Sequence, residues 1–327
     1  MNIKFTKAMF LALSLLLLSS CGGGDDEDVA SEGGGISGTG ITSIGVITEF
    51  GSIYINGIRF DIDNAIFNRD GKASTGQSEF SIGEYIVIKG TLNADKKTGV
   101  AKDVSFTDIV EGQITNINIS NNSLEVLGQR ISVTKNTVFH GFEKLADLNQ
   151  GNILEVSGIK NTKGKSTATS IKRKKIEFDG DSENEVKGII SQLNKGQKTF
   201  NISQITVDYA GATFKGMTSD SLKNGQFVEV KSRSTLSGER LIADEIELED
   251  ENNEIKDAEG ELELQGFVTR FVSITDFDVN NQKITTHSKT KYKHGKSSDI
   301  ILNALIEVEG KINSAGILVA DEVSFDD

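Results

Sequence analysis

Apolar and polar residues alternate along most of the chain after residue 41, with the period of two that is typical of half-buried β-strands. The clearest stretch surrounds Asn56-Gly57, where four apolar residues alternate with polar neighbours: Ile53, Ile55, Ile58 and Phe60. An Asn-Gly pair between two such runs is the strongest short signal for a two-residue β-hairpin. Only single turns, near residues 145–148 and 221–223, have helical character. The pattern therefore predicts an all-β protein.

The alternating region contains four blocks that share one set of anchor residues. A glycine opens each block, with an apolar residue two places later; the opening glycines are Gly45, Gly112, Gly188 and Gly266. A turn residue follows 37 to 39 positions later; these residues are Gly83, Gly151, Gly225 and Asn303. A backbone φ above zero is open to Gly and, at modest cost, to Asn. Asn303 therefore predicts left-handed backbone at this turn in every block.

Five short strands are predicted in each block, with one helical turn between the third and fourth. This is the plan of an OB-like closed barrel, so the predicted fold is four tandem small OB-like β-barrel domains of about 65–70 residues. β-sandwich modules are the alternative. An immunoglobulin-like sandwich, however, needs about seven strands in ~100 residues, which these blocks are too short to hold.

Composition divides the chain into eight segments. Two acidic stretches without periodicity are predicted to be exposed linkers, and a Gly-rich acidic stretch near the start is predicted to be a flexible tether because it can bury little surface. The segments are a signal peptide (1–20), the tether (21–40), repeat 1 (41–108), repeat 2 (109–177), a linker (178–185), repeat 3 (186–248), a second linker (249–261) and repeat 4 (262–327).

The first twenty residues have the pattern of a secretory signal peptide. Lys4 and Lys7 precede an apolar stretch over residues 8–18, which is shorter than the ~20 residues that span a bilayer. The stretch ends in Leu18-Ser19-Ser20-Cys21, which resembles the lipobox of bacterial lipoproteins. The resemblance implies that Cys21 is lipidated and becomes the mature N-terminus. The residue after the cysteine is Gly22 and not Asp, and this resembles the sorting pattern of outer-membrane lipoproteins. We therefore expect an outer-membrane lipoprotein, which faces either the periplasm or the cell surface.

Charge and residue usage narrow the function classes. The chain carries 35 basic and 48 acidic side chains, a net charge of −13 that disfavours nucleic-acid partners. It has one Cys, three His without metal-like spacing, no G-x-S-x-G motif and no phosphate-binding glycine loop. We therefore predict no catalytic residue, no cofactor and no metal ligand.

Three local patterns resemble calcium or nucleic-acid sites, but each lacks a feature that such a site needs. Asp179, Asp181 and Glu183 alternate as calcium ligands sometimes do, and the hairpin over residues 276–280 repeats the pattern. Both lack the glycine and the terminal glutamate of an EF-hand loop. The basic run over residues 172–175 has no aromatic stacking platform beside it, so it is interpreted as a solvated strand end.

The shared anchors also carry a family resemblance. An opening G-x-I/V, an aromatic residue, an L-x-x-G turn, V-E-V-x-G and a closing A-x-x-I/V resemble the bacterial domain of unknown function family 5666, over about residues 41–327. The resemblance implies tandem small β-barrels in lipoproteins and supplies no chemistry. Two departures are Ser232, which replaces the glycine at the end of the fourth strand of repeat 3, and an earlier hairpin in repeat 1.

These observations predict a non-catalytic cell-envelope lipoprotein whose tandem β-barrels bind a partner or act as spacers. The expected partners are the membrane, through the N-terminal lipid anchor, and an unknown envelope protein or polymer, with no nucleic acid. Two alternatives stay open. The first is binding of nucleic acid or oligosaccharide through an OB-like face. The second is an envelope hydrolase with an unrecognised site.

Overall fold

Nearly all regular structure in the described part of the chain is β-strand. The computed structural model describes residues 39–160, 166–249, 255, 258 and 260–325, which belong to one compact unit. The signal peptide, Cys21, all of the tether before residue 39 and most of the linker over 249–261 lie outside the described residues. No helix in the described ranges is long and apolar enough to cross a membrane. The all-β class predicted from the alternating pattern is confirmed.

Repeats 1 and 2 each contain an opening strand, a hairpin and a long pair of closing strands. The strands of repeat 1 are β1 (Thr39–Val46), β2 (Ile53–Ile55), β3 (Ile58–Asp61), β4 (Ile66–Arg69), β5 (Lys72–Ala73), β6 (Tyr85–Leu92) and β7 (Thr98–Phe106). The strands of repeat 2 are β8 (Val110–Asn118), β9 (Ser123–Val126), β10 (Gln129–Ser132), β11 (Val138–His140), β12 (Ile153–Lys160) and β13 (Ser166–Lys175).

Repeats 3 and 4 follow the same order, although their strand lengths differ. The strands of repeat 3 are β14 (Asn184–Ile189), β15 (Ser191–Asn194), β16 (Thr199–Ile202), β17 (Ile205–Asp208), β18 (Thr213–Lys215), β19 (Phe227–Ser232), β20 (Arg240–Ile242) and β21 (Glu245–Leu248). The strands of repeat 4 are β22 (Glu261–Ser273), β23 (Asp276–Val279), β24 (Gln282–Lys293), β25 (Leu305–Ile312) and β26 (Leu318–Phe325).

Short 3₁₀ turns complete the described elements. One lies in the hairpin of repeat 2, at Ile119–Asn121. The others lie at the same place in every repeat, just before the first of the two closing strands, which we call the fourth strand (β6, β12, β19 and β25). They are Gln77–Glu79, Leu145–Asp147, Ser219–Ser221 and Ser297–Asp299. The sequence predicts this turn clearly in repeats 2 and 3, and the structure has it in all four.

One pairing scheme recurs in all four repeats. The opening strand pairs antiparallel with the fourth strand, and the fourth strand pairs antiparallel with the last strand. The second strand of the hairpin runs parallel to a closing strand. In repeat 1 these pairs are β1–β6, β6–β7 and β3–β7; in repeat 2, β8–β12, β12–β13 and β10–β13. In repeat 3 they are β14–β19, β19–β21 and β17–β20; in repeat 4, β22–β25, β25–β26 and β24–β26.

The anchor residues have identifiable physical roles. The turn before the fourth strand is left-handed in all four repeats, with φ of 90°, 89°, 88° and 68° at Gly83, Gly151, Gly225 and Asn303. The left-handed backbone predicted from Asn303 is therefore present. The opening glycines instead allow close approach of the hairpin. A Cβ on Gly45 would lie 2.0 Å from Asn56 Oδ1, and one on Gly266 would lie 2.3 Å from Asn280 Nδ2.

A second glycine explains why repeat 3 departs from the others. The fourth strands of repeats 1, 2 and 4 shift register before Gly90, Gly158 and Gly310. A Cβ on these glycines would lie 2.1–2.2 Å from a carbonyl oxygen on the last strand. Ser232 stands at this position in repeat 3, where β19 ends. The later closing strand β20 then pairs with β17, in a separate four-stranded sheet.

Two strand pairings join different repeats. β8 of repeat 2 pairs antiparallel with β14 of repeat 3, and we call this junction the 2–3 seam. β1 of repeat 1 runs parallel to β22 of repeat 4 over residues 41–44 and 261–264, and we call it the 1–4 seam. Repeats 2 and 3 also share one hydrophobic core, which includes Val110 and Val186. The repeats therefore pack against one another within a single body.

The segment 178–185 differs from the exposed linker predicted for it. β14 begins at Asn184, and Ser182, Asn184 and Glu185 are buried. Their burial follows from the 2–3 seam, since β14 can pair with β8 only if this segment packs against repeat 2. Glu185 becomes part of a buried charge network.

Candidate functional site

A cleft of about 850 Å³ lies where the four repeats meet. Every repeat contributes to its wall: Tyr85 from repeat 1, Ile159 from repeat 2, Phe227 from repeat 3 and Leu264 from repeat 4. Small-molecule sites usually measure ~300–1,000 Å³, so the cleft has the size of a binding site. No single repeat contains it.

Two groups of charged side chains join repeats, one along the cleft and one along a smaller adjoining pocket. The group at the smaller pocket, which we call the Arg69 cluster, starts at the end of β4. The Arg69 guanidinium donates two hydrogen bonds to the Glu84 carboxylate, at 3.0 and 3.1 Å, and lies 2.5 Å from Glu155 Oε1 in repeat 2. It also stacks over the Phe106 ring at 4.0 Å. Lys174 extends the cluster by pairing with Glu155 at 2.7 Å.

A second group surrounds Lys187 in β14, and we call it the Lys187 cluster. The Lys187 ammonium lies 2.9 Å from Asp108 Oδ1 and 2.9 Å from Glu229 Oε1, and it also pairs with Glu185. Lys231 adds a second cation at 2.9 Å from Glu229. All five side chains are buried or nearly so. Because isolated charges are costly in a protein interior, their mutual pairing is a condition for this packing.

Burial and neighbouring charges shift the pKa values of these groups in opposite directions. Burial, reinforced by Asp108, raises the pKa of Glu185 to about 10. Burial also raises the pKa of Asp108 to about 7, in spite of the Lys187 ammonium. Glu229 is different: although burial raises its pKa, the hydrogen bonds from Glu185 and Lys187 outweigh burial and lower it to about 2. The cluster therefore holds both a protonated and an ionised glutamate at neutral pH.

Two groups of carboxylates come close enough to hold a metal ion. In one, single oxygens of Asp70, Asp108 and Glu185 lie within 4.8 Å of one another. Asp108 Oδ2 is buried and has no hydrogen-bond partner among the described residues. Lys187 nevertheless pairs with two of these three carboxylates, so the chain supplies its own cation at this point. The other group consists of Glu229, Glu247 and Glu249.

The 1–4 seam contains a buried acid without a basic partner of this kind. Glu263 in β22 is opposite Ser43 of β1, whose hydroxyl donates a 2.9 Å hydrogen bond to its carboxylate. Burial and the nearby carboxylates of Glu307 and Glu309 raise the pKa of Glu263 to about 8. Its carboxyl group is therefore mainly protonated at neutral pH.

The patterns noted in the sequence have structural roles. The basic run over 172–175 is only in part a solvated strand end, because Lys174 is held between Glu111 and Glu155. Asp179 pairs with Lys175. Asp276 and Asp278 both accept hydrogen bonds from Arg270, at 2.5–2.9 Å. The eight repeat anchors shape the backbone and are not among the charged groups of the cleft, and Cys21 lies outside the described residues.

Sequence reasoning did not single out Arg69, Glu155, Glu185 or Lys187. Each lies on a strand where polar residues alternate with apolar ones, and this pattern normally indicates a solvent-facing side chain. One signal points to one of them: a glutamate between an aliphatic residue and a valine occurs in repeats 2, 3 and 4, at Glu155, Glu229 and Glu307.

Comparison with known proteins identifies repeats 2, 3 and 4 but no activity. The family model described as "Domain of unknown function (DUF5666)" matches residues 111–172, 187–247 and 265–324, which together make up more than half of the chain. Among curated proteins, none matches the chain. A solved structure titled "drosophila Unr CSD456" is similar at 14% identity and a TM-score of 0.17, over 68% of this chain and 98% of that one. A TM-score of this size supports no conclusion about function.

Proposed function

Because the chain belongs to the DUF5666 family, whose description states no activity, we propose its function from the arrangement of its repeats. The protein is a non-catalytic lipoprotein of the bacterial cell envelope, and it binds a segment of an envelope protein or polymer in the central cleft. The observation that carries this proposal is that all four repeats contribute to the walls of one cleft. Repetition then serves to build one site instead of four.

The chemistry of the cleft favours binding over catalysis. Its wall combines apolar surface, from residues such as Tyr85 and Phe227, with charges of both signs, such as Lys215 and Glu245. The described lining contains no histidine and no cysteine. Two carboxylates of its lining are engaged by lysines: Asp108 pairs with Lys187, and Glu229 pairs with Lys187 and Lys231. A partner that carries both charges and apolar groups is complementary to this surface.

Each repeat is also an OB-like barrel in this proposal. The support is the shared pairing scheme, in which the third strand runs parallel to a closing strand and the opening strand pairs with the fourth, together with the 3₁₀ turn before the fourth strand. An experimental structure in which the opening strand of a repeat does not pair with its fourth strand would argue for the sandwich alternative.

The envelope location rests on the lipobox at Cys21. A multi-chain lipid anchor holds a protein on a membrane essentially permanently, unlike a single acyl chain. We expect the chain to partition into the detergent phase and to fractionate with the outer membrane, and the Cys21→Ala variant to stay in the aqueous phase. Equal partitioning of the two proteins would overturn the lipoprotein assignment and leave the cleft proposal standing.

Two pairs of lysine substitutions test the cleft. Lys72 and Lys215 lie on its wall and are more than half exposed, so Lys72→Glu/Lys215→Glu should leave the fold intact. Lys97→Glu/Lys135→Glu makes the same change in charge at exposed positions away from the cleft. Crosslinking in envelope extracts should capture a component with the wild type and the control pair, and lose it with the cleft pair. Equal capture by all three proteins would contradict a cleft site.

A further inference from the structure

The hairpin region of repeat 4 differs in charge from the rest of the molecule. Residues 266–296 contain six lysines and arginines and two aspartates, in a chain with 35 basic and 48 acidic side chains. Four of the six cations are lysines of β24, where repeat 1 has two arginines and two aspartates over residues 58–69. The hairpin region of repeat 4 therefore carries an excess of positive charge that the corresponding strands of repeat 1 lack.

The lysines of β24 face solvent. Lys283, Lys289 and Lys291 are exposed, whereas Gln282, Ile284 and Thr286 on the opposite side of the strand are buried. Neither Lys289 nor Lys291 forms an ion pair with a described residue, and Glu322, which is opposite Lys291 in the ladder, pairs with Lys293. These ammonium groups are available to an external anion.

Apolar side chains are exposed at the tip of the adjoining hairpin. β22 extends nine residues beyond its pairing with β1 and turns into β23 at 274–275. Three large apolar side chains near this turn are 40–65% exposed: Phe271, Val272 and Ile274. Exposed apolar side chains that are adjacent to one another, as at this tip, can form a contact with a partner or a membrane.

Cross-strand hydrogen bonds bring the tip and the basic strand together. The Thr286 hydroxyl donates to the Ile274 carbonyl at 2.9 Å, and the Thr285 hydroxyl donates to the Thr275 carbonyl at 2.9 Å. Lys289 and Lys291 follow these contacts along β24, and His287, which precedes them, lies 3.5 Å from Asp321. The tip is thus flanked by positive charge on the same hairpin.

We propose that this hairpin surface, formed by Phe271, Val272 and Ile274 with Lys283, Lys289 and Lys291, docks on an anionic lipid membrane. Apolar tips that enter the headgroup boundary, with lysines beside them that attract anionic headgroups, are a common basis of interfacial binding. Single-stranded nucleic acid fits less well. It needs exposed aromatic rings for stacking, and two of the three exposed apolar side chains at the tip are aliphatic. The contact is separate from the anchor at Cys21 and from the cleft.

Vesicle binding tests the proposal without the lipid anchor. Residues 22–327 retain every described residue and lack Cys21, so they report on the hairpin alone. At low salt, binding to phosphatidylcholine vesicles with about 30 mol% phosphatidylglycerol should exceed binding to pure phosphatidylcholine by on the order of 100-fold, given the usual effect of three lysines at an anionic surface. Comparable binding to both vesicles, or to neither, would overturn the proposal.

Two sets of variants separate the charged and apolar contributions. Lys283→Gln/Lys289→Gln/Lys291→Gln should lose most of the preference for anionic vesicles, whereas Lys97→Gln/Lys102→Gln/Lys135→Gln, with the same change in charge at other exposed positions, should keep it. Val272→Ser/Ile274→Ser should weaken binding on the order of tenfold and keep its salt dependence. Circular dichroism checks that each variant is folded. Retention of a single-stranded oligonucleotide at about 0.15 M salt, in place of vesicles, would assign the surface to nucleic acid and overturn the membrane proposal.

Discussion

The 2–3 seam and the 1–4 seam bury glutamates at corresponding positions, three residues before an opening glycine, and accommodate them differently. At the 2–3 seam, Glu185 is opposite Lys231 and Lys187 is opposite Glu229, so each acid has a cation across the ladder. At the 1–4 seam, Glu263 is opposite Glu309, and a glutamine, Gln265, stands where Lys187 would be. The 1–4 seam therefore lacks both of the lysines that neutralise the 2–3 seam.

The same strand pairing can therefore accommodate a buried glutamate in two ways. A buried carboxylate can keep its charge beside an ammonium, as Glu229 does beside Lys187, or it can keep a proton, as Glu263 does beside Ser43. The Lys187 cluster contains both forms, because Glu185 keeps a proton while Glu229 is ionised. The first solution fails when the cation is removed, and the second fails when the pH rises. The two seams should thus respond to different perturbations.

Removal of the Lys187 ammonium should have the largest effect. Lys187→Met leaves Asp108, Glu185 and Glu229 together in a buried site without their shared cation. We expect the free energy of unfolding, measured in urea at neutral pH, to fall by about 3–5 kcal/mol. Lys223→Met, at an exposed position in the same repeat, should change it by less than about 0.5 kcal/mol. A loss below about 1 kcal/mol for Lys187→Met would mean that the cluster relaxes without its lysine.

The 1–4 seam should be sensitive to alkaline pH. The pKa of Glu263 is about 8 in the folded protein and about 4.5 in the unfolded chain. Its contribution to stability is therefore complete below about pH 4.5, decreases as the pH rises and is lost above about pH 8. Between about pH 5 and pH 9, the wild type should lose about 4 kcal/mol relative to Glu263→Gln, measured by urea unfolding.

A cation at the 1–4 seam should reduce the same pH dependence. Gln265→Lys places an ammonium where repeat 3 has Lys187, and the positive charge stabilises the ionised form of Glu263, so less stability should be lost as the pH rises. Parallel pH profiles for the wild type, Glu263→Gln and Gln265→Lys would show that Glu263 does not control this seam.

Glu229 should give the opposite pH dependence at the 2–3 seam. Its folded pKa of about 2 lies below the unfolded value, so its contribution is present above about pH 4.5 and is lost as the pH falls toward 2. Glu229→Gln should cost about 1.5–2 kcal/mol at neutral pH, because two hydrogen bonds to ammonium groups are weakened, and almost nothing near pH 2. Glu239→Gln, at an exposed position, serves as the control. A constant difference at every pH would contradict the assignment.

The smallest effect is expected at the exposed edge of the 1–4 seam. Lys96 of repeat 1 pairs with Glu261 at 3.5 Å and with Glu309 at 3.0 Å, and its side chain is 60% exposed. Solvent screens such pairs, so Lys96→Gln should cost about 0.2–1 kcal/mol and the difference should shrink as salt is added. A larger cost that is insensitive to salt would indicate that Lys96 also neutralises Glu263.

Local structure could be predicted where one residue dictates the backbone. Asn56 and Gly57 have φ of 50° and 71° between paired strands, as an Asn-Gly hairpin requires. Asn303 likewise predicted a left-handed turn in all four repeats. In both cases the conformational preference is a property of the residue itself, so no knowledge of distant contacts was needed.

The charge networks could not be predicted because their members are distant in the sequence. Arg69 and Glu155 are 86 residues apart, and Asp108 and Lys187 are 79 apart. Alternation shows that such residues share the polar side of a strand, but it does not show that another repeat packs on that side. The linker prediction for 178–185 failed for the same reason, since an acidic segment without periodicity looks exposed until β14 pairs with β8.

The parallel pairing of β1 with β22 can form only late in synthesis of the chain. Ser43 and its partner Glu263 are 220 residues apart, and at a synthesis rate of ~5–20 residues per second the second strand exists roughly 10–40 s after the first. Over that interval one edge of β1 has no strand of its own chain to pair with, and an open edge is a template for pairing with other chains. The sheet that begins in the first repeat is completed only when the last repeat has been made.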